Sequence, residues 1–190
     1  MSSQTSRQEA IQVARQLISQ SPVYLDTETT GLGDKAEIIE ISVLDQDGAV
    51  LVDTLAKPRG KIPLDAQRIH GITSLMVKDA PEWQEVWKDV EQAISGRLVG
   101  IYNSEYDLRL LNQTNKLNWI MAVLEPSQFV CIMKLYAQFA GAWDQRRRRF
   151  RFFSLERAGQ AAGLTLQNTH RAKDDTLLTR ALLHYIAEQD

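Results

Sequence analysis

Val23-Tyr24-Leu25-Asp26-Thr27-Glu28-Thr29-Thr30-Gly31 is the stretch on which the fold turns. Val23, Tyr24 and Leu25 make the apolar run expected of a central strand covered on both faces. Residues two apart on a strand share a face, so Asp26 and Glu28 point together and Thr27 points the other way. Two carboxylates at the end of a buried strand cost several kcal/mol or more unless something positive answers them. Hard divalent metal ions are the natural counter-charge for such oxygen ligands.

On either side of this strand the elements alternate as an α/β protein requires. Ser6 and Glu9 suit a capping box for a helix running to about Ser19, with Ile11, Ala14 and Ile18 on one face, and Ser21-Pro22 ends it. Beyond the strand, 37–44 and 49–55 alternate as a hairpin joined through Asp47-Gly48. Pro63 and Pro81 suit first-turn positions of helices, the second aligning Trp83, Trp87, Val90 and Ile94 toward a core. Residues 97–101 and 128–132 read as two more strands, each followed by a helical pattern, as in parallel sheets.

Two further acidic elements fall on helices. In a helix from about Ser104 to Leu117, Leu110 and Leu111 lie three and four positions beyond Asp107, which places that carboxylate mid-stripe on an apolar face. His170 and Asp175 are five residues apart, a rotation of roughly 140° on a helix, so both cannot project from one helical face. His170 therefore precedes a helix that starts near Ala172. Periodicity does not choose between Asp174 and Asp175.

These segments resemble the motifs of the DEDDh 3′→5′ exonucleases, a family that includes the proofreading epsilon subunit of bacterial DNA polymerase III, ribonuclease T and oligoribonuclease. The resemblance covers residues 22–188. D-x-E stands as Asp26-Thr27-Glu28, followed by Thr29-Thr30-Gly31-Leu32. N-x-x-[FY]-D stands as Asn103-Ser104-Glu105-Tyr106-Asp107, and H-x4-D runs from His170 to Asp175, which selects Asp175 over Asp174. Ile69-His70-Gly71-Ile72-Thr73 is similar to a further family segment. Ser104-Glu105 departs from the pattern, since relatives usually carry small residues there, and it adds a negative charge near the substrate path.

The resemblance implies a ribonuclease H-like fold, a five-stranded mixed sheet flanked by helices. It implies two Mg2+ or Mn2+ ions, with Asp26, Glu28 and Asp175 at the first, Asp26 bridging to the second and Asp107 acting there mainly through water. His170 is implied as general base. Thr29, Thr30, Gly31 and Leu32 are implied to meet the terminal nucleotide, with His70 near sugar or phosphate and Asn103 orienting the site. From the residues alone, His70-Gly71 reads as a helix end with a C-cap glycine and Asn103 as a cap.

Composition narrows the class. A chain of 190 residues with 44% hydrophobic and 24% charged residues fits one domain, with 1–21 as a helix ahead of the family-like core. No apolar run reaches membrane-spanning length and the N-terminus is polar, so a cytoplasmic protein is expected. The single cysteine, Cys131, excludes an internal disulfide and reads as a small core filler. A formal net charge of −2 argues against a protein that coats nucleic acid generally. Local charge differs: Arg146, Arg147, Arg148 and Arg149, with Arg151, are interleaved with Phe150, Phe152 and Phe153 just before a helix near Ser154. Such a tract suits phosphate contacts with base stacking, and a solvated loop is the competing reading.

The expected partner is single-stranded nucleic acid or a 3′ end, DNA ahead of RNA. A homodimer is left open. A polymerase partner is not indicated, since the chain ends at Asp190, without the tail by which the epsilon subunit reaches its polymerase. A haloacid-dehalogenase-like phosphatase is the competing enzyme class, because Asp26-Thr27-Glu28-Thr29-Thr30 is similar to its D-x-D-x-T. That class needs a second Asp where Glu28 stands and has no role for His170. A catalytically silent nucleic-acid or polymerase-binding domain is the third reading, opposed by five intact active-site positions.

Overall fold

The strand β1 (Val23–Thr29) lies at the centre of a five-stranded sheet of order β3-β2-β1-β4-β5 in the computed structural model, which describes residues 3–190. It pairs antiparallel with β2 (Ile38–Leu44), which pairs antiparallel with β3 (Val50–Leu55). On its other side β1 runs parallel to β4 (Val99–Ile101), and β4 parallel to β5 (Phe129–Cys131). This is the mixed sheet of a ribonuclease H-like fold.

Helices cover both faces. Val23, Leu25, Ile41, Val43, Val99 and Ile101 pack against Trp83, Trp87, Val90 and Ile94 of α3 (Trp83–Ile94) and Leu110 and Leu111 of α4 (Ser104–Leu117). Tyr24 faces the other way, toward α1 (Ser3–Ser19), α5 (Ile132–Ala140) and α7 (Ala172–Ala187). Here Gly100 of β4 is required by close approach, since a Cβ at that position would lie 3.0 Å from the Tyr24 ring. The shorter helices α2 (Leu64–His70) and α6 (Leu155–Ala161) follow β3 and precede α7.

Several local expectations need correction. The first helix already runs from Ser3, so Ser6 is not its cap. It lies on the same face as Ala10 and Ala14 and is buried with them. Pro63 is the N-cap of α2 rather than a first-turn residue. Pro81 precedes the Glu82 cap of α3, whose capping box pairs Glu82 with Glu85. The β2 strand is buried along its whole length instead of alternating, because α7 covers the face that carries Glu40 and Ser42. The fourth and fifth strands shrink to three residues each, and Ile132 opens α5. Cys131 is only half-buried at a strand end, its thiol donating weakly to the Tyr102 carbonyl at 3.4 Å, so it does not fill the core. The arginine tract forms the turn of a small hairpin, β6 (Trp143–Asp144) with β7 (Arg149–Phe150), ahead of the Ser154 cap of α6.

Candidate active site

Asp26 and Glu28 leave the same face of β1, where α7 crosses the strand and brings Asp175 of its first turn to meet them. One oxygen from each of Asp26, Glu28 and Asp175 lies within 4.8 Å of the others. Burial, joined by repulsion from Asp107, Asp175, Glu28 and Glu40, pushes the Asp26 carboxyl well above the ordinary carboxylate range. Burial first, then Asp175, Glu40 and Asp107, pushes Glu28 up to about 8 despite the opposing pull of Arg171. Asp175 is pushed up to about 6 by burial, with His170 and the Thr169 backbone N–H acting against the rise.

Asp107 comes from the opposite layer. It is buried in the apolar face of α4, and the Thr27 hydroxyl, on the far face of β1 from Asp26, donates to its Oδ1 at 2.8 Å. Burial pushes Asp107 up to about 7, and the Thr27 hydrogen bond opposes the rise. The two sides of one strand thus hold four carboxylates whose joint ionisation calls for added positive charge.

The segment before α7 is fixed by side chains that sequence reading passed over. Asn168 Nδ2 donates to Asp175 Oδ2 at 2.7 Å and Thr169 N–H to Oδ1 at 3.1 Å, while the Thr169 hydroxyl donates to Asp174. Asp174 therefore serves the loop and Asp175 the cluster. His170 is exposed, with φ of 56°, a left-handed conformation rarely taken by a residue with a side chain and held here by its neighbours. The next residue, Arg171, donates Nε at 3.0 Å to Glu40, and the Ala172 backbone N–H donates to the same carboxylate at 2.9 Å. Glu40 stands opposite Glu28 in the β1–β2 register. It is a fifth acid beside the cluster, with its charge answered by Arg171 and the α7 N-terminus. An acid inside Ile38-Ile39-Glu40-Ile41 was the available signal, because a charge in a wholly apolar strand needs a partner.

The β1–β2 pairing shifts register between Glu28 and Thr29, and the chain then leaves the sheet as a loop. The Thr29 hydroxyl donates to the Gly31 carbonyl at 2.9 Å and the Tyr106 hydroxyl donates to it at 3.1 Å. Gly31 has φ of 145°, and Thr30 is buried, its hydroxyl accepting from Glu37 N–H. The loop thereby presents Leu32, which is 79% exposed, with its carbonyl held by Arg109. Asn103 is the N-cap of α4 by position, yet its exposed side chain makes no capping bond. His70 ends α2 ahead of the C-cap Gly71, is buried, and accepts the Ile72 N–H on Nδ1 at 3.0 Å. Burial lowers its pKa; its other nitrogen is enclosed without a hydrogen bond, on the side of the Thr29 backbone. Glu105 is exposed and ion-paired with Lys134 of α5, which answers the extra negative charge. Arg146, Arg147, Arg148 and Arg149 lie on the exposed β6–β7 hairpin, and no hydrogen bond or ion pair among the described residues joins them to the carboxylates.

Residues 23–183 match the family model RNase_T, described as exonuclease. The chain belongs to this exonuclease family. An exonuclease of Escherichia phage 186 is 35% identical over 182 residues, 93% of each chain. The DNA polymerase III epsilon subunit of Treponema pallidum is 28% identical over 169 residues, covering 84% of this exonuclease and 75% of the subunit. The epsilon subunit of Rickettsia felis aligns over 96 residues, only 42% of its length. Among solved structures, exonuclease X in complex with 5′ overhanging duplex DNA superposes with a TM-score of 0.64 and 26% identity, covering 86% of this chain and 89% of that one. The nuclease domain of 3′hExo, a DEDDh family member bound to rAMP, superposes with a TM-score of 0.68 at 17% identity over 86% and 89% of the two chains. The phosphatase alternative falls with the family match and with the antiparallel hairpin beside β1.

Proposed function

We propose that this exonuclease removes nucleoside monophosphates one at a time from 3′ ends, DNA ahead of RNA, by two-metal hydrolysis of the DEDDh type. The observation that carries the reading is the convergence of Asp26, Glu28 and Asp175 within 4.8 Å, with Asp107 across the same strand. The donors are all oxygen, Asp175 is buried and Asp26 and Glu28 are half-buried, and desolvation joined by mutual repulsion favours their protonated forms, a set that fits hard divalent ions such as Mg2+ or Mn2+. Asp26, Glu28 and Asp175 would hold one ion, and Asp26 with Asp107 the second. Bound there, the pair would stabilise charge on the attacking and leaving oxygens of the phosphodiester.

The protein's own side chains do the rest. His170, exposed on a strained loop beside Asp175, takes the proton of the attacking water as general base. Asn168 and Thr169 orient Asp175, and Glu40 with Arg171 anchors the backbone next to His170. Thr29 to Leu32 cradle the terminal nucleotide, with exposed Leu32 against its base and Asn103 free to meet it. Buried His70 supports Thr29 from behind. Arg146 to Arg149 reach the strand at a distance from the chemistry.

The same reading takes 1–190 as one exonuclease domain with α1 packed on α5 and α7, and as a cytoplasmic protein. No helix among the described residues is long and apolar enough to cross a membrane. The test is a time course on matched 5′-labelled DNA and RNA oligonucleotides with magnesium. A ladder shortening one nucleotide at a time, faster on DNA, is expected. Immediate release of the 5′ label or internal cuts would refute the polarity, and no hydrolysis with any divalent ion would refute the activity.

A further inference from the structure

The C-terminus of α4 carries a tryptophan where physical chemistry asks for glycine. Asn118 is the C-cap, and Trp119 follows with φ of 61°. Ile120 N–H bonds back to the Asn115 carbonyl at 2.9 Å and Trp119 N–H to that of Lys116 at 3.3 Å, the two bonds of a Schellman motif. Its left-handed position belongs to glycine in most helices, and a bulky residue there is strained. Nothing apolar compensates, because Trp119 is 86% exposed. After it the chain runs extended with alternating exposure. Ile120, Ala122 and Leu124 turn into the core, and Met121 and Val123 turn out, 97% and 84% exposed.

This strap forms one wall of an open groove of about 790 Å3. Lys35, Arg59 and Lys116 stand around it, all exposed and none in an ion pair among the described residues, against the single acid Asp34. The groove is continuous with the loop that presents Leu32. Arg109 holds the Leu32 carbonyl, and one turn further along α4 Gln113 donates to the carbonyls of Gly33 at 3.0 Å and Ala36 at 2.6 Å. Lys116 lies about 10 Å beyond Arg109 along the helix.

We infer that this groove binds a second stretch of the nucleic-acid chain, beyond the nucleotide at Leu32, with a base stacked on Trp119 and phosphates met by Lys35, Arg59 and Lys116. Cations without an acidic partner, of which Arg59 also donates to the Leu117 carbonyl, suit a polyanion, and an exposed aromatic ring on a basic rim is a stacking platform that accepts any base. The inference rests on the proposed nuclease reading, and it concerns binding rather than hydrolysis.

The deciding variant is Trp119→Gly, which supplies the residue the backbone prefers. Affinity is measured by fluorescence anisotropy with phosphorothioate-ended single strands, a trinucleotide and one of about 20 nucleotides. The variant should keep or raise its melting temperature, bind the long strand about tenfold more weakly, within the usual range for one lost base stack, and bind the trinucleotide as before. Lys35→Ser with Lys116→Ser should flatten the slope of log K against log salt for the long strand by about 1.4, from two phosphates at about 0.7 each. Unchanged affinity for the long strand in both variants would overturn the inference. So would an equal loss for the trinucleotide, or a variant whose only change is in self-association by sedimentation. Hydrolysis of the trinucleotide by the unaltered protein is scored separately, so failure of the nuclease reading is not confused with failure of the groove.

Discussion

Glu28→Gln should stabilise the metal-free protein at about pH 8 and leave it unchanged at about pH 5. Glu28 titrates near 8 in the fold against an ordinary 4.5, so between those values the folded chain holds a proton that the unfolded chain has released. Stability must then fall as pH rises through that window, because the native state binds more protons than the unfolded one. One pH unit of such displacement corresponds to about 1.4 kcal/mol, which sets an upper bound near 5 kcal/mol for Glu28. Water at the partly accessible side chain offsets part of this, leaving an expected gain of about 2 kcal/mol for the amide at pH 8. The assay is urea unfolding in EDTA at the two pH values. Magnesium should restore stability to the unaltered protein at pH 8 and do so less for the variant. A wild-type protein that grows more stable between pH 5 and pH 8 without metal, or a Gln variant less stable than wild type at pH 8, would refute the assignment of the cluster as mutually repelling carboxylates.

Four other outcomes follow from the same geometry. Arg171→Ala should cost about 3 kcal/mol, the low end for a buried carboxylate that loses its partner, since the guanidinium is half in water; Arg171→Lys should recover only part, and calorimetry on both checks it. His170→Ala should lower turnover by about 10²–10⁴ with metal affinity retained, and an acid limb unchanged from wild type in the pH–rate profile would remove His170 from the role of base. Thr27→Val removes the hydroxyl that favours ionised Asp107, so metal titration by calorimetry should show binding moved to higher pH, and no displacement would break the link across β1. Replacing Arg146 to Arg149 by Ser should flatten the salt slope of oligonucleotide binding by roughly one to three units with turnover at saturation little changed; an unaltered slope would leave them a solvated hairpin.

What was legible beforehand, and what was not, divides along a physical line. Asp26, Glu28 and Asp107 stand out in the sequence against the apolar pattern of known period on their own elements, whereas Asp175 is separated from Asp174, and His170 singled out, only by the resemblance of this segment to the family's H-x4-D. The same periods gave α4 its observed limits and put Trp83, Trp87, Val90 and Ile94 in the core. Glu40, Arg171 and Thr27 act between elements, and one strand's pattern says nothing about its neighbour's register. Only the pairing of Glu28 with Glu40 shows that a fifth acid borders the cluster and that Arg171 must answer it.

Trp119 escaped for a related reason. In sequence it is one more aromatic at the end of a helix, since no residue pattern reports a φ of 61° or 86% exposure. The arginine tract drew notice because charge is visible in a string of letters, whereas Lys35, Arg59 and Lys116 come from three separate segments and become one basic rim only when folded. A chain with net charge of −2 can therefore hold nucleic acid without a basic face, provided that its few unpaired cations gather where the strand passes. On the inference drawn above, the groove beside Leu32 is such a gathering, and the left-handed backbone of Trp119 at its edge gives up local stability to present an exposed indole.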